Sequence, residues 1–236
     1  MNSPEKYGID YIDRNYAAVT KELAEIAARI GRTPPTLVCV TKSGSDGELL
    51  ALAAAGASDF GENRPGEVKR RAEILKEAGF DVRMHEIGTL QSNKVKLVID
   101  KAALIHSLSS HSTAKEIEKR AAAAEVTVPV LVEINSAKEE NKDGVMPEDA
   151  EQFIKELAAY PHIKVRGLMT MGPVCENEED IRPYFRATKE LFDSLCATFD
   201  FGEEPILSMG MSDSYRVAVE EGSTLVRIGR RLFVKN

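Results

Sequence analysis

The chain has 236 residues, of which 43% are hydrophobic and 29% are charged, and its formal net charge is −7. This length suits one large domain with a sizeable core, and the acidic balance argues against nucleic acid or an anionic membrane surface as the main partner. The three cysteines lack C-x-x-C spacing, so we expect free thiols in a reducing compartment and neither a disulfide nor a zinc site. No apolar run reaches the roughly 18 residues of a membrane span, and the first residues lack a signal-peptide pattern, which together predict a cytoplasmic protein.

A long helix is predicted to open the chain, because apolar residues recur at helical spacing over residues 9–30. Short β-rich runs then alternate with helical stretches, at 36–41, 57–61, 83–88, 104–108, 128–135, 163–171, 205–209 and 224–229. Eight strands that alternate with helices indicate a parallel sheet, and this length favours a closed (β/α)₈ TIM barrel with an extra N-terminal helix. A doubly wound sheet is the alternative. Since no linker or composition break interrupts the sequence, we predict a single domain over residues 1–236.

A barrel of this kind places its functional site at the carboxyl ends of its strands. Polar and glycine-containing motifs follow the predicted strands: Lys42, GENR (61–64), HEIG (85–88), EIN (133–135), LMTMG (168–172), SMGMSD (208–213) and RIGRR (227–231). A lysine at a barrel mouth pairs with an anion or forms a Schiff base with a carbonyl group. The simpler interpretation of Lys42 is a solvated surface lysine just past a strand.

The motifs after strands seven and eight indicate a phosphate site. SMGMSD precedes a helical pattern, for which Ser212 or Asp213 is the predicted N-cap, and free N–H groups at such a position bind anions. Gly229 in RIG offers bare backbone that can approach an anion closely. A plain cap and a plain turn would explain the same residues without a ligand.

Three further strand-end residues have both a structural and a functional interpretation. Arg227 lies in a buried strand pattern, so it needs a ligand or an acidic partner such as Glu133, and an internal salt bridge explains it equally well. His85 is more simply a hydrogen-bonded core residue than a catalyst, and Asn63 ends strand two. No residues have metal-ligand spacing, and neither G-x-G-x-x-G nor a Walker A motif is present.

A lysine amine beside a phosphate cradle suggests pyridoxal 5′-phosphate (PLP). The motifs FGENR, HEIGTLQSNK, IHSL, IRPYF, LSMGMSD and VRIG together resemble the YggS/PROSC family of pyridoxal-phosphate homeostasis proteins, over residues 9–233. The resemblance implies a single barrel like that of alanine racemase without its second domain. It also implies that the protein binds, carries or buffers PLP and shows no robust enzyme turnover.

The resemblance assigns roles to particular residues. Lys42 in VTK would hold PLP as a Schiff base, Ser212 and Gly229 would contact its phosphate, Arg227 would face the pyridine nitrogen and Asn63 would lie near the ring. The predicted PLP-binding set is Lys42, Asn63, Ser208, Ser212, Arg227, Gly229 and Arg230, with no catalytic residue and no metal ligand.

The chain departs from the family pattern at three places. Arg230 replaces the phosphate-side threonine of RIGTAIFG, and we expect its long side chain to point to solvent, leaving the backbone N–H to the phosphate. SGSDGE replaces a turn richer in lysine and proline. MHEIG replaces WHFIG.

Three functional hypotheses remain open at this point. The first is a non-enzymatic PLP carrier, because an arginine at the pyridine nitrogen keeps that nitrogen unprotonated and the ring a poor electron sink. The second is an amino-acid racemase of weak activity, although such an enzyme needs a second acid or base that related racemases take from an extra domain. The third is a phosphosugar aldolase that uses Lys42 directly. We expect a monomer whose partners are PLP and PLP-dependent apoenzymes, with no role for nucleic acid or membranes.

Overall fold

The computed structural model describes residues 7–139 and 142–235. Eight parallel strands form one closed barrel in the order of the sequence, which confirms the predicted TIM barrel. The last strand pairs with the first over four positions, so the doubly wound alternative is wrong. The strands are β1 (Thr36–Val40), β2 (Asp59–Glu62), β3 (Arg83–Glu86), β4 (Ala102–Leu108), β5 (Val128–Glu133), β6 (Ile163–Met169), β7 (Ile206–Ser208) and β8 (Leu225–Ile228).

Seven α-helices surround the barrel within the described residues. They are α1 (Asp10–Arg29), α2 (Asp46–Ala54), α3 (Pro65–Glu77), α4 (His111–Ala124), α5 (Ala150–Leu157), α6 (Arg182–Cys196) and α7 (Tyr215–Glu220). The predicted opening helix is confirmed to within one residue at each end, with Ile9 and Ile30 at its caps. A 3₁₀ helix, Ser92–Leu97, lies between β3 and β4 where an α-helix would be usual. None of the helices in the described residues has the length and hydropathy that crossing a bilayer requires.

Strand alternation divides the apolar residues into two layers. Side chains from alternate positions fill the barrel interior, where the cluster comprises Val38, Leu104, Leu131, Met169 and Leu225. The intervening positions, such as Cys39 and Phe60, face the helices and join the larger core. The interior is therefore packed rather than open, as is usual for this fold, whose ligands bind at the mouth.

Local turns explain where the strand boundaries differ from the prediction. β2 begins at Asp59 rather than at 57, because Gly56 ends the preceding turn with a φ of +100°. β5 ends at Glu133 rather than at 135, since Ile134 bridges to Val145 in the following loop. The single domain predicted over residues 1–236 stays a prediction, and residues 1–6, 140, 141 and 236 lie outside the described part of the chain.

Candidate functional site

Lys42 lies at the barrel mouth, two residues beyond the end of β1. The backbone before it is held by a hydrogen bond from the Thr41 N–H to the Gly61 carbonyl (3.2 Å), and the Gly44 N–H bonds to the Thr41 carbonyl (2.8 Å). The lysine side chain is exposed and makes no hydrogen bond or ion pair with the described residues. The mouth therefore presents an amine that no described neighbour engages, on a firmly placed backbone.

The loop after β2 places Asn63 beside Lys42, because β1 and β2 are paired. Gly88 packs against the Asn63 backbone so closely that a Cβ at position 88 would lie 2.4 Å from the Asn63 carbonyl oxygen. The Gly88 N–H in turn donates to Oε1 of Glu86 (3.0 Å). Burial, with the neighbouring Glu62 acting in the same direction, raises the pKa of Glu86 to about 8. This neutral acid thus supports the segment behind Asn63.

The predicted phosphate residues of β7 and β8 are in direct contact. The Gly229 N–H donates to the Ser212 hydroxyl oxygen (3.3 Å). A Cβ on Gly229 would lie 2.9 Å from the Val40 carbonyl oxygen, so glycine lets this turn approach the end of β1. The predicted N-cap, Ser212 or Asp213, is wrong: α7 begins at Tyr215 with Ser214 at its N-cap, and the Ser212 hydroxyl accepts the Gly229 N–H.

Arg227 lies inside the barrel and is 4% exposed. Its guanidinium donates to the carbonyl (3.0 Å) and hydroxyl of Ser208 and to the Thr170 carbonyl (3.1 Å). Among the described residues it makes no ion pair with Glu133, so the internal salt bridge considered for it is absent there. Burial lowers the pKa of Arg227 to about 10, and the charge of Glu133 opposes that shift, so the guanidinium stays charged at neutral pH.

Glu133, at the end of β5, is the second ionisable group inside the mouth. It is 4% exposed, and its carboxyl group makes no hydrogen bond with the described residues. Burial and the charge of Asp143 together raise its pKa to about 7, against the lowering effect of Arg227. The site thus contains a carboxyl group that changes its protonation near neutrality.

Ser208 and Arg230 take different positions from the rest of the predicted set. Ser208 is fully buried and its hydroxyl contacts Arg227 and His106, so its direct contact with a cofactor stays a prediction. Arg230 points outward, as expected, and forms an ion pair with Asp213 in which both side chains are more than 70% exposed. The predicted contact of Arg230 with the cofactor stays a prediction.

The barrel interior also contains hydrogen-bonded residues for which the sequence predicted no role. His106 and Asp59 lie in the barrel interior and are linked through His85, whose ring nitrogens are each 2.9 Å from a partner atom. The prediction that His85 is a hydrogen-bonded core residue is confirmed. His106 could have been found from LIHSL, because it alternates with the inward-facing Leu104.

The barrel brings Lys42, Asn63, Ser212, Arg227 and Gly229 together, since β7, β8, β1 and β2 are consecutive neighbours in the sheet. Among residues 7–139 and 142–235, no cluster of three or more histidine, cysteine or acidic residues is arranged to bind a metal ion. The mouth therefore combines an amine, a glycine turn with a hydroxyl, and a buried cation.

Comparison with known proteins identifies relatives with the same barrel. Residues 15–236 match the family described as alanine racemase, N-terminal domain. A pyridoxal phosphate homeostasis protein of Aquifex aeolicus is 46% identical over 178 residues, which cover 75% of this chain and 77% of the relative. Its counterpart in Helicobacter pylori strain 26695 is 34% identical over 227 residues, or 95% and 99% of the two chains. The structure of PipY of Synechococcus elongatus with PLP bound has a TM-score of 0.76 and 27% identity, covering 90% of this chain and 100% of PipY.

The closed barrel and its strand-end site define a protein built on the alanine racemase N-terminal barrel. Within that class, the chain belongs to the YggS/PROSC family of pyridoxal phosphate homeostasis proteins, as its motifs predict.

Proposed function

We propose that this protein binds PLP at the barrel mouth, holds it as a Schiff base on Lys42 and serves intracellular PLP homeostasis. PLP supplies an aldehyde that condenses with amines, a phosphate dianion and a pyridine ring that withdraws electrons. The observation that supports the proposal best is the convergence on one rim of a lysine that no described residue engages and a buried, charged arginine.

The phosphate side of the proposed site consists of Ser212 and Gly229. The Gly229 N–H donates to the Ser212 hydroxyl oxygen, and an anion could accept both that N–H and the hydroxyl proton of Ser212. Because position 229 has no side chain, its backbone packs closely against the end of β1, the strand that precedes Lys42. Arg230 contributes its backbone at this turn, while its side chain stays on Asp213.

The ring side of the proposed site depends on Arg227. A guanidinium has only donors, so it gives a hydrogen bond to a pyridine nitrogen and leaves that nitrogen without a proton. An unprotonated ring stabilises negative charge poorly, which favours storage and delivery of PLP over turnover. We further propose a monomer as the working unit, with PLP-dependent apoenzymes as the proteins that receive PLP.

One observation supports weak amino-acid racemisation as a second candidate. Glu133 lies in the same mouth with a pKa of about 7, which suits a group that donates and accepts protons. Incubation with a single enantiomer of alanine, followed by chiral chromatography, tests it. Racemisation that is lost in Glu133→Gln supports the second candidate, and none in the parent excludes it for alanine. Neither the site nor the named relatives support the phosphosugar aldolase.

The test of the main proposal is the covalent attachment of PLP. We expect the purified protein loaded with PLP to be yellow and, after borohydride reduction, to carry the adduct on the peptide that contains Lys42. Lys42→Ala should lose the adduct, whereas Lys94→Ala, which removes another exposed lysine of the mouth region, should keep it. An adduct on a different lysine, with Lys42 unmodified, contradicts the proposal.

A further inference from the structure

A continuous chain of hydrogen bonds crosses the barrel interior below the proposed site. Arg227 contacts the Ser208 hydroxyl, which lies 3.0 Å from Nδ1 of His106. Nε2 of His106 lies 2.9 Å from Nδ1 of His85, and Nε2 of His85 lies 2.9 Å from Asp59. The five side chains come from β8, β7, β4, β3 and β2.

The far end of this chain reaches the amino-terminal rim of the barrel. Asp59 is 3% exposed and receives two hydrogen bonds from Arg83, at 2.7 and 2.6 Å. The side chain of Arg83 is 62% exposed, so this series of hydrogen bonds ends at the solvent. Burial alone would raise the pKa of Asp59, but the hydrogen bonds from His85 and Arg83 lower it below its ordinary value. This series of five hydrogen-bonded side chains, which we call the relay, thus ends in a carboxylate.

The bonding partners determine the direction of every proton in the neutral chain. Arg227 can only donate, so the Ser208 oxygen accepts from it, and the Ser208 hydroxyl proton is free to be donated to Nδ1 of His106. His106 must then carry its proton on Nε2 and donate to Nδ1 of His85. His85 carries its proton on Nε2 and donates to the Asp59 carboxylate. Burial, together with the neighbouring His85 and Arg227, keeps the pKa of His106 well below its usual range, which agrees with a neutral ring.

We propose that His106 is a positioning residue that acts through Ser208 to hold the guanidinium of Arg227 in place, with His85 and Asp59 as the negative end of a buried relay. Each donated bond polarises the next, so the Asp59 carboxylate makes the Ser208 oxygen a better acceptor for Arg227. The functional part of this inference rests on the proposed PLP site. There the relay sets how strongly Arg227 donates to the pyridine nitrogen, and so tunes the bound cofactor from the opposite end of the barrel.

Other ionisable groups lie around the relay, and their titration must be separated from that of the relay in any pH measurement. Glu133 faces Arg227 from β5, and its titration near neutrality would alter the same guanidinium. Cys39 and Tyr16 lie near Asp59, and burial raises both of their pKa values, so both stay neutral at neutral pH. Measurements of pH dependence should therefore be repeated in a Glu133→Gln background.

The first experiment determines, by NMR of the protein without PLP, which ring nitrogens of the histidines carry protons. Only four histidines are present, so selective ¹⁵N labelling gives four resolvable rings. We expect both His85 and His106 to be protonated on Nε2 at pH 7, with Nδ1 of His106 as a hydrogen-bond acceptor, and a shifted Nδ1 resonance of His106 in Ser208→Ala. A His106 that is charged or protonated on Nδ1, or that does not respond to Ser208→Ala, overturns the relay. Because no cofactor is present, this result is independent of the proposed function.

The second experiment reads the visible absorption of bound PLP as a function of pH. His106→Leu removes the relay, and we expect the midpoint of the spectral titration to move by about one pH unit. His106→Asn keeps an acceptor near the Nδ1 position but cannot reach His85, so its shift should be intermediate. His162→Asn, at a histidine paired with Glu118 outside the barrel interior, should match the parent.

The outcomes are distinct. Equal midpoints in the parent and both His106 variants overturn the proposal that the relay acts on the cofactor. If His106→Leu does not fold, the midpoint of His106→Asn relative to the parent decides the question. A parent protein that does not bind PLP contradicts the proposed function, while the histidine resonances still decide whether the relay exists.

Discussion

Gly229 shows how a single absent side chain determines the geometry of the mouth. Its φ of −122° is open to any residue, so space rather than backbone conformation requires glycine. A Cβ at this position would lie 2.9 Å from the backbone carbonyl oxygen of Val40, and a strand backbone yields poorly. The same close approach joins the Ser212 turn to the strand that precedes Lys42.

We therefore expect Gly229→Ala to lower the free energy of unfolding by about 1–3 kcal/mol, because the methyl group must displace the end of β1. Urea unfolding followed by circular dichroism measures the change. Gly66→Ala is the matched control, since a Cβ there meets no atom within 4 Å, and it should stabilise by about 0.4–1 kcal/mol. Equal stabilities of the two variants would show that the mouth tolerates the extra methyl group.

Arg230 is the residue at which the exposed ion pair makes a specific prediction. Its side chain bonds to Asp213 on the surface, away from the Ser212 and Gly229 donors. We expect Arg230→Thr to keep its affinity for PLP within about twofold, with little change in salt dependence, because exposed ion pairs contribute little. Equilibrium dialysis against PLP tests this. A loss of roughly tenfold, or about 1.4 kcal/mol, would instead make Arg230 a phosphate ligand.

At the scale of elements, α2 begins immediately after the lysine turn and is fixed by a capping box. The Ser45 hydroxyl accepts from the Glu48 N–H (3.3 Å), and the Ser45 N–H donates to the Glu48 carboxylate (2.6 Å). The Tyr11 hydroxyl donates to the same carboxylate and links α1 to α2. This arrangement places the helix that follows Lys42.

Loss of the cap should weaken α2 and loosen the turn that carries Lys42. We expect Ser45→Ala to cost about 1 kcal/mol of stability, the usual value for a lost N-cap. Thermal unfolding monitored by circular dichroism gives the difference from the parent. Ser43→Ala, an exposed neighbour outside the capping box, should be neutral, and a comparable loss there would locate the effect in the turn rather than in the cap.

The same cluster predicts a pH dependence of stability. Burial alone would raise the pKa of Glu48, but hydrogen bonds from Tyr11 and from the Ser45 backbone lower it from 4.5 to about 2. A lowered pKa means that the folded state favours the carboxylate, so this contribution is present above pH 4.5 and is lost as the pH falls toward 2. Urea unfolding across that window should show a steeper loss for the parent than for Glu48→Gln. Parallel pH curves for the two proteins would contradict the assignment.

At the scale of the whole molecule, closure of the barrel joins the two ends of the chain. β8 pairs with β1, so Arg227 and Gly229 meet the strand that precedes Lys42 only when all eight strands are in place. PLP that binds there binds the folded state alone, and such a ligand stabilises by mass action.

We expect PLP to raise the thermal midpoint of the parent, with a gain of about 2.7 kcal/mol when its concentration is 100 times its Kd. Lys42→Ala should gain less at the same concentration, because only the noncovalent contacts remain. Differential scanning calorimetry measures both. An equal gain in the two proteins would mean that Lys42 contributes nothing to retention.

The barrel architecture and the position of the site at the strand ends follow from the amino-acid sequence alone. Apolar alternation and length decide which segments are strands, and parallel strands that alternate with helices place their polar ends on one face. Lys42, Asn63 and Gly229 can therefore be assigned to the mouth from their positions after predicted strands. Ser212 is assigned to the same turn, although the prediction that it caps the helix is wrong.

Which side chains meet is decided by the folded barrel. His106 and Ser208 are 102 positions apart, yet their ring nitrogen and hydroxyl oxygen lie 3.0 Å from each other. The sequence predicts an acid or a ligand as the partner of Arg227, but the barrel gives it carbonyl oxygens and a hydroxyl. Local patterns encode which face of a strand is buried. They do not encode which strands become neighbours or at what depth, because barrel closure and register depend on the packing of the whole chain.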